Sequence, residues 1–312
     1  MTGRERVSRA IEFRSPDRVP VWFFNRDHLR GDIMCYGLGR GIEDRNEWGY
    51  RMKNLGDGTM GQPEAPVLPT WDTFNGFRAP ELAADVRMQN LKEFKERAGD
   101  RYMLGGLGIT GFNLYTFLRG FGNSMMDFLA EQDRACSLLD MIFDFEMQLI
   151  SLSAEAKLDG VHFADDWGTQ QGLMIAPELW RMMFKPRYRK QFEHAHRLGL
   201  HVWFHSCGNV ASILPDLREI GLDVMNISQP NVVDIAGVAG RLGGRQCFMV
   251  PTSYQTVSIK GTPAEIRAEA RRLYDALATP QGGFIGYVEE YKCMGMSEEN
   301  YQACARAFEA LT

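Results

Sequence analysis

The fold is decided by residues 201–230, HVWFHSCGNVASILPDLREIGLDVMNISQP. This stretch opens with a short apolar run at residues 201–204, continues into a helical segment that ends near Gly221, and reaches a second apolar run at residues 223–226. A strand, a helix and another strand in this order are typical of a parallel sheet, because parallel neighbours need a crossover connection between them. The stretch therefore predicts one strand, helix and strand unit.

The same pattern recurs along most of the chain. The predicted strands cover residues 19–24, 102–105, 161–164, 201–204, 223–226, 246–250 and 283–287. An eighth strand is expected between residues 60 and 100. Eight parallel strands that alternate with helices form a (β/α)8 barrel, and a chain of 312 residues is long enough for one. The sequence thus predicts an α/β fold, a TIM barrel that spans residues 1–312 as a single domain.

Two segments complicate this pattern. Residues 37–80 are rich in Gly, Pro, Asp and Trp, with a turn predicted at Gly56-Asp57-Gly58, and are interpreted as an insertion or lid. Residues 106–111, GLGITG, match the G-x-G-x-x-G string of a doubly wound dinucleotide-binding sheet, which is the alternative fold. No strand that ends in Asp or Glu follows about twenty residues later, so the barrel interpretation is favoured.

Composition excludes several classes of partner. The formal net charge is −5 and the pI is near 5.8, so the chain lacks the basic surface that nucleic acid or an anionic membrane requires. No apolar run is long enough to span a bilayer, and no apolar signal segment follows the first residues. The six cysteines are widely spaced and are expected to be reduced thiols. A cytoplasmic location is expected.

Polar side chains directly follow the predicted strands, at the end of a barrel that carries catalytic groups. Asp165 and Asp166 follow residues 161–164 and are candidate catalytic residues for proton transfer, although acidic residues at such positions also cap helices. Neutral hydrogen-bonding groups and aromatic rings near other strand ends provide candidate substrate contacts. The predicted substrate-binding residues are Trp22, Asn25, Tyr115, Trp167, Asn226 and Gln229.

The most specific local signal is His205-x-Cys207. Residues two apart in an extended chain point to the same side, about 6.5–7 Å apart at Cα, so an imidazole and a thiolate here are able to share a zinc ion. The alternative is a core histidine beside an inert thiol. A third ligand must come from elsewhere, and the candidates are Cys293, Glu290 and Glu289 on the loop after the last strand.

Four stretches together resemble the uroporphyrinogen decarboxylase superfamily. They are residues 4–22, RERVSRAIEFRSPDRVPVW; residues 163–192, FADDWGTQQGLMIAPELWRMMFKPRYRKQF; residues 201–230; and residues 261–285, GTPAEIRAEARRLYDALATPQGGFI. The resemblance implies a (β/α)8 barrel with its cleft at the C-terminal mouth. The superfamily contains both tetrapyrrole decarboxylases and zinc-dependent methyltransferases that work with corrinoid proteins, so membership alone does not settle the chemistry.

Departures from the superfamily patterns favour the methyltransferase branch. Residues 23–32, FFNRDHLRGD, lack the arginine-rich segment of true decarboxylases, and Asp27 opposes a polyanionic substrate. Residues 205–209, HSCGN, match the branch's H-x-C-G-N motif, which implies that His205 and Cys207 bind zinc. The usual Pro-Gly-Cys turn for the third ligand is missing, so Cys293 is preferred, with Glu290 next. Residues 47–74 look like members associated with anaerobic demethylation of methoxylated compounds.

The leading hypothesis is a zinc-dependent methyltransferase. It moves a methyl group between a small methylated compound, methoxylated compounds included, and a corrinoid such as cobalamin. The sequence has no D-x-H-x-x-G string, so a separate corrinoid protein is the expected partner. One alternative is a metal-independent decarboxylase or lyase that uses Asp165 with nearby arginines. Another is a noncatalytic barrel that binds a small molecule.

Overall fold

A computed structural model describes residues 1–56 and 61–312 of the chain. The strands are β1 (Val21–Phe23), β2 (Ile33–Gly37), β3 (Gly41–Ile42), β4 (Arg45–Asn46), β5 (Met52–Lys53), β6 (Gln62–Pro63), β7 (Tyr102–Ile109), β8 (Gly160–Ala164), β9 (His201–Ser206), β10 (Val224–Ile227), β11 (Cys247–Val250) and β12 (Phe284–Val288). The helices are α1 (Gly3–Ile11), α2 (Ala84–Met88), α3 (Leu91–Ala98), α4 (Gly111–Arg119), α5 (Phe121–Ala130), α6 (Gln132–Glu155), α7 (Pro177–Met183), α8 (Lys185–Arg197), α9 (Leu214–Glu219), α10 (Ile235–Leu242), α11 (Val257–Lys260), α12 (Pro263–Leu277) and α13 (Glu298–Glu309). Short 3-10 turns cover Trp71–Gly76, Pro230–Val232 and Lys292–Met294.

Eight of these strands form one sheet in the order β1-β12-β11-β10-β9-β8-β7-β2, and every pairing within it is parallel. The two ends of this order meet at Asp32. Its backbone amide donates to the carbonyl of Val21 at 2.9 Å, and its carboxylate accepts from the amide of Val21 at 3.0 Å. The buried Arg6 guanidinium donates to the same carboxylate at 2.6 Å. The sheet is therefore a nearly closed barrel, which confirms the predicted fold class.

The eighth strand was predicted in the wrong place. It is β2, and residues 61–100 instead contain β6, a 3-10 turn, α2 and α3. The prediction assumed one helix between each pair of successive strands. The connection from β1 to β2 has none, because residues 24–32 return the chain to the amino-terminal end of the barrel without a helix. The short apolar run at residues 33–36 is the sequence signal for this strand.

Alternation of side chains along the strands separates two apolar clusters. Trp203 points into the barrel, whereas its neighbours Val202 and Phe204 pack between the sheet and the surrounding helices. Val7 and Ile11 of α1 also belong to the interior cluster, so this helix covers the amino-terminal end of the barrel. The carboxyl ends of the strands are left to form the mouth.

Side-chain caps begin three of the helices. Thr2 accepts from the backbone amide of Glu5 at the start of α1, and Ser297 caps α13. Thr262 and Glu265 form a reciprocal capping box at the start of α12. Each cap satisfies a backbone amide that the helix leaves without a partner.

The segment predicted as an insertion carries the hairpins β3–β4 and β5–β6 and packs on the outside of the barrel helices. The Trp48 ring meets Phe145 of α6 edge-on at 5.3 Å, and Tyr50 meets Phe117 of α4 at 5.2 Å. A buried ion pair joins Glu47 to Arg87 of α2, the helix that follows the segment. Its lid function stays a prediction. Two residues of the predicted turn at 56–58 lie outside the described residues. Within the described ranges, no helix is both long and apolar enough to cross a membrane.

Candidate metal centre

Three side chains meet at the ends of the neighbouring strands β8 and β9. His205 lies on β9 opposite Ala164 of β8, so Asp166 and Cys207 follow directly beyond the paired ends. The Nε2 atom of His205 lies 3.6 Å from Cys207 Sγ and 3.5 Å from an Asp166 carboxylate oxygen. All three candidate ligand atoms lie within 4.8 Å of one another, and all three residues are half-buried.

These separations fit a zinc ion. With zinc bonds of about 2.0 Å to nitrogen or oxygen and 2.3 Å to sulfur, tetrahedral geometry places two ligand atoms about 3.3–3.6 Å apart. The two distances from His205 Nε2, 3.5 and 3.6 Å, agree with this range. A nitrogen, a thiolate and a carboxylate form a donor set that zinc accepts, and three protein ligands are typical of catalytic sites with an open fourth position.

Asn226 of β10 orients the imidazole. Its Oδ1 accepts from His205 Nδ1 at 2.5 Å, while its own amide nitrogen donates to the carbonyl of Met249 at 2.9 Å. Because the second bond fixes which end of the amide faces the ring, a proton of His205 is held on Nδ1, and Nε2 is the ring nitrogen that faces the cluster and is available to a metal. The structure thus gives Asn226 a positioning role in place of the substrate contact predicted from the sequence.

Gln229 supports the Cys207 turn in a similar way. Its Oε1 accepts from the backbone amide of Gly208 at 2.8 Å, and its amide nitrogen donates to the Tyr254 hydroxyl at 2.6 Å. Gly208 has φ +76°, and a Cβ there would overlap the backbone of Gly168, so only glycine fits. Gln229 therefore holds the turn that presents the thiol, which is again a different role from the one predicted.

The charges in the cluster favour a bound cation. Burial raises the pKa of Asp166, but hydrogen bonds with His205 and with the backbone amide of Cys207 outweigh it and hold this pKa at about 2. Burial lowers the pKa of His205, while contacts with Asp166 and Cys207 raise it well above its ordinary value. The lowered pKa of Asp166 reflects hydrogen bonds that stabilise its charged form, and the raised pKa of His205 reflects the acidic groups beside the ring. A divalent cation at this point would take the place of the proton on the imidazole.

Asp165 has a structural role at the start of α4. Its carboxylate is fully buried and accepts from the backbone amides of Phe112 and Asn113 at 3.0 and 2.8 Å, which caps α4, and it also bonds the Tyr188 hydroxyl. Burial raises its pKa well above the usual range. Capping, the alternative interpretation of this residue, replaces the catalytic role predicted for it.

Glu146 supports the same helix terminus. It accepts from the backbone amide of Gly111 and from Gln191, both at 2.7 Å. Burial is the main influence and raises the pKa of Glu146 to about 7, although both hydrogen bonds oppose the shift. Two buried carboxylates thus share the amino-terminal end of α4.

The predicted third ligands lie elsewhere. Glu290 forms an ion pair with Arg26 at 2.9 Å, and Cys293 is exposed on a 3-10 turn. Glu289, the remaining candidate, accepts from the hydroxyl groups of Tyr287 and Tyr291, so none of the three candidates belongs to the cluster. Asp166, predicted as a proton-transfer group, is instead the third side chain of the cluster that could hold a metal ion.

The three aromatic residues predicted to contact substrate are all buried. Tyr115 is fully buried and donates to Asp127, and Trp167 is fully buried and stacks on Phe112 at 4.3 Å. Both are core residues outside the mouth. Trp22 points into the barrel, where it meets His162 edge-on at 5.4 Å.

Asn25 joins two loops of the rim. Its amide nitrogen donates to the carbonyl of Glu290 at 3.0 Å, and its side-chain oxygen accepts from the Glu290 amide at 2.8 Å. This pair of bonds ties the loop after β1 to the loop after β12. The structure therefore gives Asn25 a loop-bracing role rather than the predicted substrate contact.

The mouth contains polar residues that sequence reasoning missed. His162 lies 6.3 Å from His205 between ring centres, and its buried Nε2 has no partner among the described residues. Burial, together with the charge of His205, lowers the pKa of His162 to about 3, so this ring is neutral. The sequence did offer a signal for His162. It is a polar residue between Val161 and Phe163, which face the helices, so alternation along the strand turns it into the barrel.

Glycines open the part of the mouth next to β8, at the ends of β7 and β2. A Cβ at Gly37, the last residue of β2, would have no atom within 4 Å, and one at Gly108 of β7 would meet only the Gly39 Cα at 3.7 Å. The glycine-rich string at residues 106–111 is thus a barrel-strand exit beside open space, as the favoured interpretation of the sequence has it.

A model of the family described as uroporphyrinogen decarboxylase (URO-D) matches residues 54–309. The chain belongs to the uroporphyrinogen decarboxylase family. This confirms the family predicted from the sequence, whose fold agrees with the barrel described above. The chain matches none of the curated proteins with which it was compared.

Solved structures extend the comparison of this uroporphyrinogen decarboxylase family member. A methyltransferase from Methanosarcina mazei superposes with a TM-score of 0.75 at 16% identity, over 99% of this chain and 98% of that one, which shows a shared fold. A chitinase from Chromobacterium violaceum gives 0.44 at 9% identity, over 95% and 100% of the chains. A D-psicose 3-epimerase from Clostridium cellulolyticum gives 0.41 at 9%, over 72% and 82%. Neither of the last two bears on function.

Proposed function

We propose that this chain is a zinc-dependent methyltransferase that moves a methyl group between a small methylated compound, methoxylated compounds included, and a corrinoid carried by a separate protein. The observation that carries the proposal is the cluster of Asp166, His205 and Cys207 at the mouth of the barrel, with ligand-atom separations that suit zinc. The structural likeness to a methyltransferase over nearly the whole chain is consistent with it.

The residues of the chain have distinct parts in this proposal. His205, Cys207 and Asp166 hold the metal, and their thiolate and carboxylate charges balance a divalent ion. When bound, zinc supplies a Lewis acid for an ether oxygen or for a thiol that accepts the methyl group. Asn226 and Gln229 hold the ligands in place. Since the sequence has no D-x-H-x-x-G string, the corrinoid is assigned to a partner that binds at the mouth.

The arginines near the mouth do not favour tetrapyrrole decarboxylation. Arg26 is paired with Glu290 and Glu298, and Arg30 is paired with Glu309. A substrate with many carboxylates needs unpaired cations, and these two side chains already have anionic partners. The methyltransferase proposal does not require unpaired arginines at the mouth.

Metal analysis tests the proposal. Purified wild-type protein is expected to contain about one zinc per chain, as is typical of a site with three protein ligands, and Cys207→Ala and Asp166→Asn should lose it. The matched controls Cys293→Ala and Glu290→Gln should retain it, because those residues lie outside the cluster. Methyl transfer is then followed with cob(I)alamin and a panel of methoxylated and methylated amine compounds. A wild-type protein that transfers methyl groups without metal would refute the proposal.

A further inference from the structure

The loop after β12 places a second carboxylate at the mouth. Ile285 and Tyr287 point into the barrel, so alternation along the strand brings Glu289 to the same side, above them. One oxygen of Glu289, Oε2, accepts from the hydroxyl groups of Tyr287 and Tyr291, at 2.9 Å in each case. These two bonds hold the carboxylate in one orientation.

Glu289 has no cationic partner. Within residues 1–56 and 61–312, no Lys, Arg or His nitrogen forms an ion pair with it, and its Oε1 accepts no hydrogen bond. The adjacent Glu290 differs, because it pairs with Arg26. A carboxylate at the mouth that has no counter-charge is available to pair with a cationic group of a ligand.

Aromatic rings surround this carboxylate. Phe24 is 41% exposed at the end of β1 and contacts Trp22 at 5.5 Å and Tyr287 at 5.9 Å between ring centres. On the other side of Glu289, Tyr291 stacks on Tyr254 at 4.5 Å. Ring faces attract cations, so a carboxylate bordered by aromatic side chains is a combination that selects positive charge.

The same group of residues adjoins the metal cluster. The Tyr254 hydroxyl accepts from Gln229, which also binds the amide of Gly208 next to Cys207. On the opposite side, contacts run from Trp22 to His162 and from His162 to His205. Short chains of contacting side chains therefore link the Glu289 group to the metal cluster.

We infer that Glu289, with Phe24, Tyr254 and Tyr287, binds a positively charged group of the substrate, an amine or a methylated ammonium. This inference rests on the proposed function, because it concerns the substrate of the same mouth. It narrows the substrate class from small methylated compounds in general to those that carry a cationic nitrogen.

Binding to the zinc-loaded protein tests the inference without an activity assay. The probes are choline and dimethylbutanol, its neutral carbon analogue, with affinities measured by calorimetry. Choline should bind about tenfold more tightly than the analogue. In Glu289→Gln, which keeps the size of the side chain, this preference should fall below about threefold. Glu290→Gln is the matched control and should keep the full preference.

A second variant tests the same inference in case Glu289→Gln does not fold. Phe24→Leu changes an exposed ring and should weaken choline binding about threefold while leaving the analogue unchanged. Equal binding of choline and dimethylbutanol by the wild-type protein, or an unchanged preference in Glu289→Gln, would overturn the inference.

The results separate this inference from the proposed function. Zinc-loaded protein that demethylates a neutral methoxylated arene but shows no preference for choline would overturn the cation subsite alone. Protein that binds no zinc but loses its choline preference in Glu289→Gln would support the subsite and refute the methyltransferase proposal.

Discussion

Replacing Asn226 with alanine removes the only hydrogen-bond partner that the described residues offer to His205 Nδ1. The bond is 2.5 Å long, and the Asn226 amide is itself fixed by the Met249 carbonyl at 2.9 Å. Without it the imidazole is free to change its tautomer and to rotate, so part of the ring population presents Nε2 with a proton. Loss of such an outer partner typically weakens metal affinity about 10–100-fold, or about 1.4–2.7 kcal/mol.

The assay is competition for zinc between the protein and a chromophoric chelator at constant pH. The zinc affinity of Asn226→Ala is expected to be about 10–100-fold lower than that of wild type. The number of zinc ions bound per chain should not change, because all three ligands remain. The control is Asn231→Ala, since Asn231 bonds only Gln255 and Ser253 at the outer rim. If Asn226→Ala bound zinc as tightly as wild type, the assignment of Nε2 as the ligand atom and of Asn226 as its positioning residue would be incorrect.

Three further variants test the fold around the site. Because burial raises the folded-state pKa of Glu146 from 4.5 to about 7, the wild-type protein loses stability as the pH rises between these values. In urea unfolding, the free energy of unfolding of Glu146→Gln should therefore gain about 2–3 kcal/mol relative to wild type between pH 4.5 and pH 8. An equal difference between the two proteins at both pH values would contradict the raised pKa of Glu146. Asp32→Asn leaves the buried Arg6 guanidinium without one of its anionic partners and should lower the free energy of unfolding by about 3 kcal/mol, whereas the exposed-pair control Asp275→Asn should change it by less than about 1 kcal/mol. Gly208→Ala forces the Cys207 turn to move and should abolish zinc binding in metal analysis while far-ultraviolet circular dichroism stays unchanged; retention of zinc would show that the turn is adaptable.

Local patterns were sufficient for the elements whose neighbours in sequence are also their neighbours in space. His205 and Cys207 were found together because they are two residues apart at the end of one strand, and caps such as Thr262 with Glu265 act within one helical turn. The β2 strand was missed because its connection from β1 departs from the repeat. The third ligand was sought on the loop after β12 because the family resemblance places it there. The order of strands in the predicted barrel makes β8 a neighbour of β9, but it does not show that the Asp166 side chain turns toward the His205 ring.

The sequence by itself determined the barrel, the family and the pair His205 and Cys207, because periodicity, strand ends and short motifs are local properties of the chain. Only the tertiary structure decided what completes the site. Parallel pairing of β8 with β9 brings Asp166 to the cluster, and pairing of β10 with β9 brings Asn226 to the imidazole. The same closure turns Glu289 inward and Glu290 outward, although they are adjacent in sequence. Such roles depend on distances between segments far apart in the chain, which order along the chain does not specify.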